Sequence, residues 1–354
     1  MCPLRLVSRF FVFDEEEVQP EFRAQRTLNR GRIPEITRYM VENPKGYAFS
    51  SLTACINGDV HFEPVGTDPN VGTLRIPMSG RLLLNDGQHR RAAIIEALKE
   101  RPELVDETIS VVLFVDAGLK RSQQMFTDLN THAVRAARSL GVLYDHRDPL
   151  AELARHLVEA VPVFNGLTEM EKTNISNRSR KLFTLSSIYQ ATRRLLGKQR
   201  GAPVSEEERV LARDFWTEVA GHIPDWQAAA RREVSTAELR RDSIHAHGIA
   251  LQALATVGHS LVKGQPNRWK PQLRALRSVD WNRTNACVWE GRAMIGGRVS
   301  KAQNNVVLTG NLLKKLLHVP LSVEERRVEE SHGGARAIGG RRSRGKVSSR
   351  QEKA

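Results

Sequence analysis

The apolar residues of this chain change their spacing once. From Phe10 to about Asp116 they fall in short runs separated by turn residues, and beyond Asp148 they recur at helical spacing for most of the remaining length. A chain divided in this way belongs to the α+β class, a mixed sheet-and-helix part followed by a mostly helical part. The expected boundaries are 1–147 for the first domain, 148–325 for the second and 326–354 for a disordered basic tail. That tail, with its stretch GGARAIGGRRSRGKVSSRQEKA, has almost nothing to bury. No internal repeat with a period of about 20 to 50 residues is apparent.

Local signals place the elements. In TACINGDVHFEP the pair Asn57-Gly58 lies between two strand-like runs, as a two-residue hairpin turn requires, and Ser79-Gly80 between TLRIPM and RLLLND suggests a second hairpin with Pro77 on an edge or at a bulge. The run TISVVLFVD, ending at Asp116, is continuously apolar and reads as a strand covered on both faces. Between RLLLND and that run, QHRRAAIIEALKE predicts a helix burying Ala92, Ile95 and Leu98. A further helix, LKRSQQMFTDL, would align Ser122, Met125, Phe126 and Leu129. In the second half, Leu150, Leu153, Leu157 and Val161 keep helical spacing, as do Leu185, Ile188, Tyr189, Leu195 and Leu196.

Charge and cysteine usage narrow the functional classes. The formal charge of +14 makes a polyanion the first partner to consider, and because Ser331 to Ala354 contributes +6, the first 330 residues keep +8 of their own. Cys2, Cys55 and Cys287 lie far apart without zinc-finger spacing, which disfavours a thiolate cluster or a disulfide framework. The longest mostly apolar stretch, Gly248 to Val262, is 15 residues, short of the roughly 20 that cross a bilayer. A cytoplasmic protein without a membrane partner is expected.

Two motifs carry candidate chemistry. In LLLNDGQHRRAA a strand ends near Asn85, Gly87 permits a tight turn, and a helix starts with Gln88, His89, Arg90 and Arg91. Unsatisfied amides in the first helical turn, with two arginines beside them, suit a phosphate. Asp86 would cap that helix, receive a ribose hydroxyl or help hold a metal. The second motif, DLNTHAVR, offers Asn130, Thr131 and Arg135 to close over whatever the first turn holds; equally, Asn130 only ends a helix.

Asp86-Gly87-Gln88-His89-Arg90 is the signature of the DGQHR domain, and the sequence around it resembles the DndB family, which is encoded beside DNA phosphorothioation genes. The likeness extends to NRGRIPEITRYMVENPKGYAFSSLTACINGDVHFEP upstream and to MFTDLNTHAVRAARSL and NISNRSRKLFTLSSIYQ downstream, most of residues 5 to 320. DGQHR domains are in turn similar to the amino-terminal domain of ParB and to sulfiredoxin. That similarity implies a nucleotide phosphate held by Gly87, Arg90 and Arg91 and completed by Asn130 and Arg135, with ATP or CTP and Mg2+ as the candidate ligands. Gln88 and His89 depart from ParB, which has an acidic residue and an arginine there, so phosphate binding is better supported than hydrolysis. For the whole chain the resemblance implies a DNA-binding regulator that represses the modification genes rather than the sulfur transferase. Neither the cysteine and lysine of a desulfurase nor clustered thiolates for an iron-sulfur centre are visible.

For the DNA contact, residues 172–205 hold eight basic residues, Lys172, Arg178, Arg180, Lys181, Arg193, Arg194, Lys198 and Arg200, and no acidic one. Ser176, Asn177, Ser179 and Thr184 add uncharged donors suited to phosphate. Expected partners are double-stranded promoter DNA, other phosphorothioation proteins and a second copy of the chain, since operators are commonly palindromic. Two other classes fit the same residues. One is a nucleotide hydrolase or DNA-nicking enzyme with His89 as acid or base and Asp86 on a divalent ion; the other is a docking module. His245 and His247 fit core or capping roles better than a metal pair, most of the five tryptophans should be core, and Gly296-Gly297-Arg298 reads as a loop.

Overall fold

A computed structural model describes residues 1–12, 28–57, 60–77, 81–115, 118–131, 137–266 and 268–332. The chain divides into two compact units, Met1–Arg135 and Ala136–Ala354.

In the first unit the elements are β1 (Cys2–Pro3), α1 (Leu4–Phe10), β2 (Phe11–Val12), α2 (Ile33–Glu42), β3 (Leu52–Asn57), β4 (His61–Val65), β5 (Asp68–Arg75), β6 (Arg81–Asp86), α3 (Gln88–Glu100), β7 (Thr108–Ile109), β8 (Val111–Val115) and α4 (Gly118–Thr131). A four-stranded sheet has the order β2-β6-β3-β8, with β3 antiparallel to β6 and parallel to β8. The two expected hairpins do not form as read. Leu52, Ala54, Cys55 and Ile56 of β3 are all buried, so this strand takes a partner on each side within the sheet. The exposed strands β4 and β5 pair instead with each other across Gly66-Thr67, where Gly66 has φ 68°. Gly58 and Ser79-Gly80, the centres of the expected turns, lie outside the described residues.

The run TISVVLFVD is likewise two strands. Ile109 pairs with β1 while Val111–Val115 pairs with β3 as an edge strand, and Val112 and Val115 are 43% and 47% exposed, so the expected cover on both faces is absent. Helix α3 buries Ala93, Ile94 and Ala97, a face turned one residue from the expected Ala92, Ile95 and Leu98, which are only half-buried. Apolar residues on both sides of that helix left its face open to either reading. Leu129 of α4, expected to share a face with Ser122, Met125 and Phe126, is 45% exposed.

The second unit is helical: α5 (Arg138–Tyr144), α6 (Pro149–Ala160), α7 (Leu185–Leu196), α8 (Glu206–Gly221), α9 (Pro224–Ala230), α10 (Thr236–Asp242), α11 (Gly248–Gly264), α12 (Trp269–Gln272), α13 (Ala286–Trp289) and α14 (Gln303–Leu316), with a further helix at 323–332. Two short strand pairs complete it, β9 (Thr168–Glu169) with β10 (Phe183–Thr184) and β11 (Met294–Ile295) with β12 (Arg298–Val299). Helix α5, assigned from sequence to the first domain, packs on α6 and α7. Helix α11 is apolar nearly all round and forms the centre, between α7 and α14. Gly258 allows its closest approach, because a Cβ there would lie 2.4 Å from the Phe215 ring and 2.8 Å from Leu195. All five tryptophans are buried, and His245 accepts from Trp226 Nε1 at 3.1 Å. Among the described residues no helix is long and apolar enough to cross a membrane.

The helix at 323–332 occupies the start of the segment expected to be disordered. Lys314, 3% exposed, pairs with Glu325 at 2.6 Å, and Arg292 pairs with Glu329 at 2.5 Å, so two cations of the body would lose their counter-charges without it. Residues 333–354, the rest of the expected tail, lie outside the described residues.

Two outcomes follow from this packing. Gly258→Ala adds about 1 kcal/mol of helix propensity, but overpacking against Phe215 costs about 1–3 kcal/mol. Urea unfolding should therefore show a net loss of about 1 kcal/mol, and a gain would show that the α8 contact is loose. Burial alone would raise the Glu329 carboxyl, but hydrogen bonds from Arg292, Lys315 and Asn311 hold it down at about 2. Its stabilisation is therefore complete above the ordinary value of 4.5, declines as pH falls below that, and is lost as pH passes about 2. Wild type and Glu329→Gln should differ by about 2 kcal/mol or more near neutral pH and converge in strong acid. A gap that persists at low pH would contradict this role.

Candidate nucleic-acid interface

The Asp86–Arg91 turn forms where strand β6 meets helix α3. Gly87, at φ 105°, is the cap residue, and a Cβ there would lie 2.5 Å from Leu52 Cδ2, so this position requires glycine. Among the described residues no side chain caps the helix. The side chains are less free than the sequence suggested. Arg90 donates to Asp86 at 2.5 Å and to Ser50 Oγ, while Arg91 donates to the carbonyls of Phe11 at 2.8 Å and Ser8 at 3.5 Å. Burial also lowers the Arg91 guanidinium below its ordinary value. His89 Nε2 accepts from the Asn29 amide at 3.0 Å, and Gln88 is buried. Asn130 and Thr131 fall in the last turn of α4, which packs on β6, but their side chains and Arg135 lie outside the described residues.

In the second unit the basic window is divided between a loop and a helix. The loop, residues 170–182, leaves β9 and returns into β10, so the parallel strand pair closes its base. An irregular loop leaves backbone carbonyls that no ladder can satisfy. Arg240 supplies the donors: its guanidinium reaches the carbonyls of Ser176 at 3.0 Å, Asn177 at 3.2 Å, Ser179 at 3.0 Å and Lys181. Thr236 Oγ1 adds a bond to Ser179 O at 3.1 Å, and Ser139 Oγ one to Lys172 O at 2.8 Å. With the backbone held from behind, the side chains of Lys172, Arg178 and Arg180 are exposed and have no acceptor among the described residues.

The other five cations are engaged. Lys181 Nζ donates to Gly166 O at 2.8 Å. Lys198 pairs with Glu208 at 2.6 Å and Arg200 with Asp145 at 2.9 Å, so carboxylates neutralise both. Arg193 lies over the Tyr189 ring at 5.8 Å and donates to Gln199, and Arg194 donates to Gln252 and Gln303 at 3.0 and 2.6 Å. Amide acceptors leave the charges of these two arginines intact but fix their geometry. The window therefore offers three unclaimed cations, two positioned ones and two neutralised ones, with Lys181 spent on a carbonyl.

Other cations join from distant parts of the sequence. Arg232 adopts φ 65°, unusual for a residue with a side chain, and lines a cleft of about 650 Å³ with Arg178 and Arg180. On the other side of the loop a cleft of about 780 Å³ is bordered by Thr173, Asn174 and Asn177 and by Arg240, Arg241, Arg283 and Lys301. No sequence window contains this set; the adjacent pair Arg240-Arg241 is the local feature that could have pointed to it. Next to it, Gly296 and Gly297, both at positive φ, form the tight turn of the β11–β12 hairpin; Glu290 accepts from both their amides, and Arg283 donates to Gly297 O at 3.0 Å. His247 donates to Arg240 O at 2.8 Å; burial, aided by Arg283 and Lys301, pushes it down to about 4, so it adds no charge at neutral pH.

No curated protein and no solved structure matches the chain significantly. A family model described as DndB, DNA-sulfur modification-associated, matches residues 1–320, which spans both the glycine turn and the arginine-held loop. The chain therefore belongs to the DndB family of proteins associated with DNA sulfur modification.

Proposed function

We propose that this protein is a DNA-binding regulator of phosphorothioate modification that represses transcription of the modification genes. The observation that carries this reading is the display of Lys172, Arg178 and Arg180, without carboxylate partners among the described residues, on a loop whose backbone is fixed by Arg240. Because the loop backbone is already fixed, these cations lose little backbone freedom on meeting a phosphate backbone, and they release counterions when they do. Arg193 and Arg194, in the last turn of α7, are proposed to add further phosphate contacts. Family membership ties the chain to DNA sulfur modification and makes promoter DNA the natural polyanion. A homodimer on a palindromic operator, contacts with other phosphorothioation proteins and a cytoplasmic location complete the proposal.

The Asp86–Arg91 turn is proposed to hold a phosphate, from nucleotide or DNA, chiefly through its backbone amides. Asp86 is already paired with Arg90, and His89 accepts from a backbone amide. Those bonds disfavour the hydrolase reading, which needs both groups free.

Binding of a promoter fragment and of scrambled DNA should be measured by fluorescence anisotropy at several salt concentrations. Replacing Arg178 and Arg180 together with alanine should weaken both by about tenfold or more and lower the salt slope by about 2. Lys198→Ala with Arg200→Ala, which removes only neutralised cations, should change neither value. Equal effects from the two pairs would contradict the proposed interface.

A further inference from the structure

We propose that the cleft of about 780 Å³ between loop residues 173–177 and the start of α11 binds a phosphate ester of nucleotide size, and that its occupant opposes DNA on the adjoining loop. The coupling half rests on the DNA-binding reading above; the binding half does not.

The chemistry of the walls selects an anion. Four cations line the cleft, Arg240, Arg241, Arg283 and Lys301, against one carboxylate, Glu238. Their partners leave that charge largely in place. Among the described residues Arg240 and Arg283 donate to backbone carbonyls and Lys301 has no acceptor; Arg241 pairs with Asp242 at 2.8 Å, and that carboxylate also feels the charge of Arg283. A concentration of cations with so little compensation raises a local potential that a polyvalent anion relieves.

The neutral groups point to an ester rather than a bare ion. Thr173, Asn174 and Asn177 border the cleft and supply uncharged hydrogen-bonding groups of the kind that sugar hydroxyls meet. The volume lies in the range of small-molecule and cofactor sites, far beyond what inorganic phosphate fills. Helices α7 and α11 also begin here, so close that a Cβ on Gly248 would lie 2.6 Å from Ser187 Oγ, and their positive ends add to the same field.

Coupling follows from the shared wall. Residues 173–177 belong to the loop that displays Lys172, Arg178 and Arg180, and Arg240 contacts both cleft and loop. An anion placed here cancels part of the positive potential that DNA would meet, and linkage requires DNA to weaken the anion equally.

The test uses the full chain with ATP as probe in isothermal titration calorimetry, and a short promoter duplex as a second arm. Lys301→Glu and Asn174→Asp introduce negative charge from opposite walls at exposed positions, and thermal melts check that each variant folds. We expect an ATP-binding event that each variant weakens at least tenfold, separable from any ATP held at the Asp86–Arg91 turn because the variants leave that turn intact, and duplex affinity reduced several-fold when ATP saturates the wild type. If the variants weaken the duplex while ATP does not bind, the phosphate comes from DNA and the coupling is overturned. ATP binding that both variants leave unchanged, or an absence of effect on either ligand, overturns the site. Tighter duplex binding with ATP overturns the coupling alone.

Discussion

One guanidinium group organises the basic loop of the second unit. Arg240 donates to four loop carbonyls between Ser176 and Lys181, and no carboxylate among the described residues shares it. Five donors in a rigid plane suit an irregular backbone that has no ladder to join. Because its acceptors are neutral, the arginine fixes the loop and still contributes its charge to the surface. Arg283 repeats the arrangement one step further back, donating to the carbonyls of Arg240, Arg241 and Gly297. Structure and electrostatics therefore come from the same side chains.

This arrangement separates cations that look alike in the sequence. A guanidinium on a carbonyl stays charged, one on a carboxylate is silenced, and one without a partner is available to phosphate. Lys198 and Arg200 belong to the silenced class and Arg178 and Arg180 to the available one, although all four lie within one acid-free window. The acids that neutralise two of them, Glu208 and Asp145, come from outside it. In the first unit Arg90 and Arg91 are engaged as well, which leaves the uncapped helix start as the feature of that turn open to an anion.

Local signals were legible in the sequence and distant pairings were not. Gly87 could be read as the turn between strand and helix because its backbone requires a positive φ, and the helical half could be read because α6, α7 and α11 repeat apolar residues at helical spacing. Strand partners were misread at Asn57-Gly58, since a turn signal competes with the burial of an entire strand and burial won. The split at Ser110 was hidden because β7 and β8 continue one apolar run while pairing with different strands. Arg240 escaped notice because its acceptor at Lys181 is 59 residues away. Neutralisation within the basic window was invisible for the same reason: counting charges along a chain says nothing of the carboxylates that folding brings beside them.

The most direct test exchanges the fork for a point charge. In Arg240→Lys the positive charge remains but the planar array of donors is lost. Amide hydrogen exchange across residues 172–182, read alongside DNA affinity, should show faster exchange confined to the loop and weaker binding, although the net charge is unaltered. Unchanged exchange with unchanged affinity would mean that charge alone suffices and that the loop needs no guanidinium to hold it.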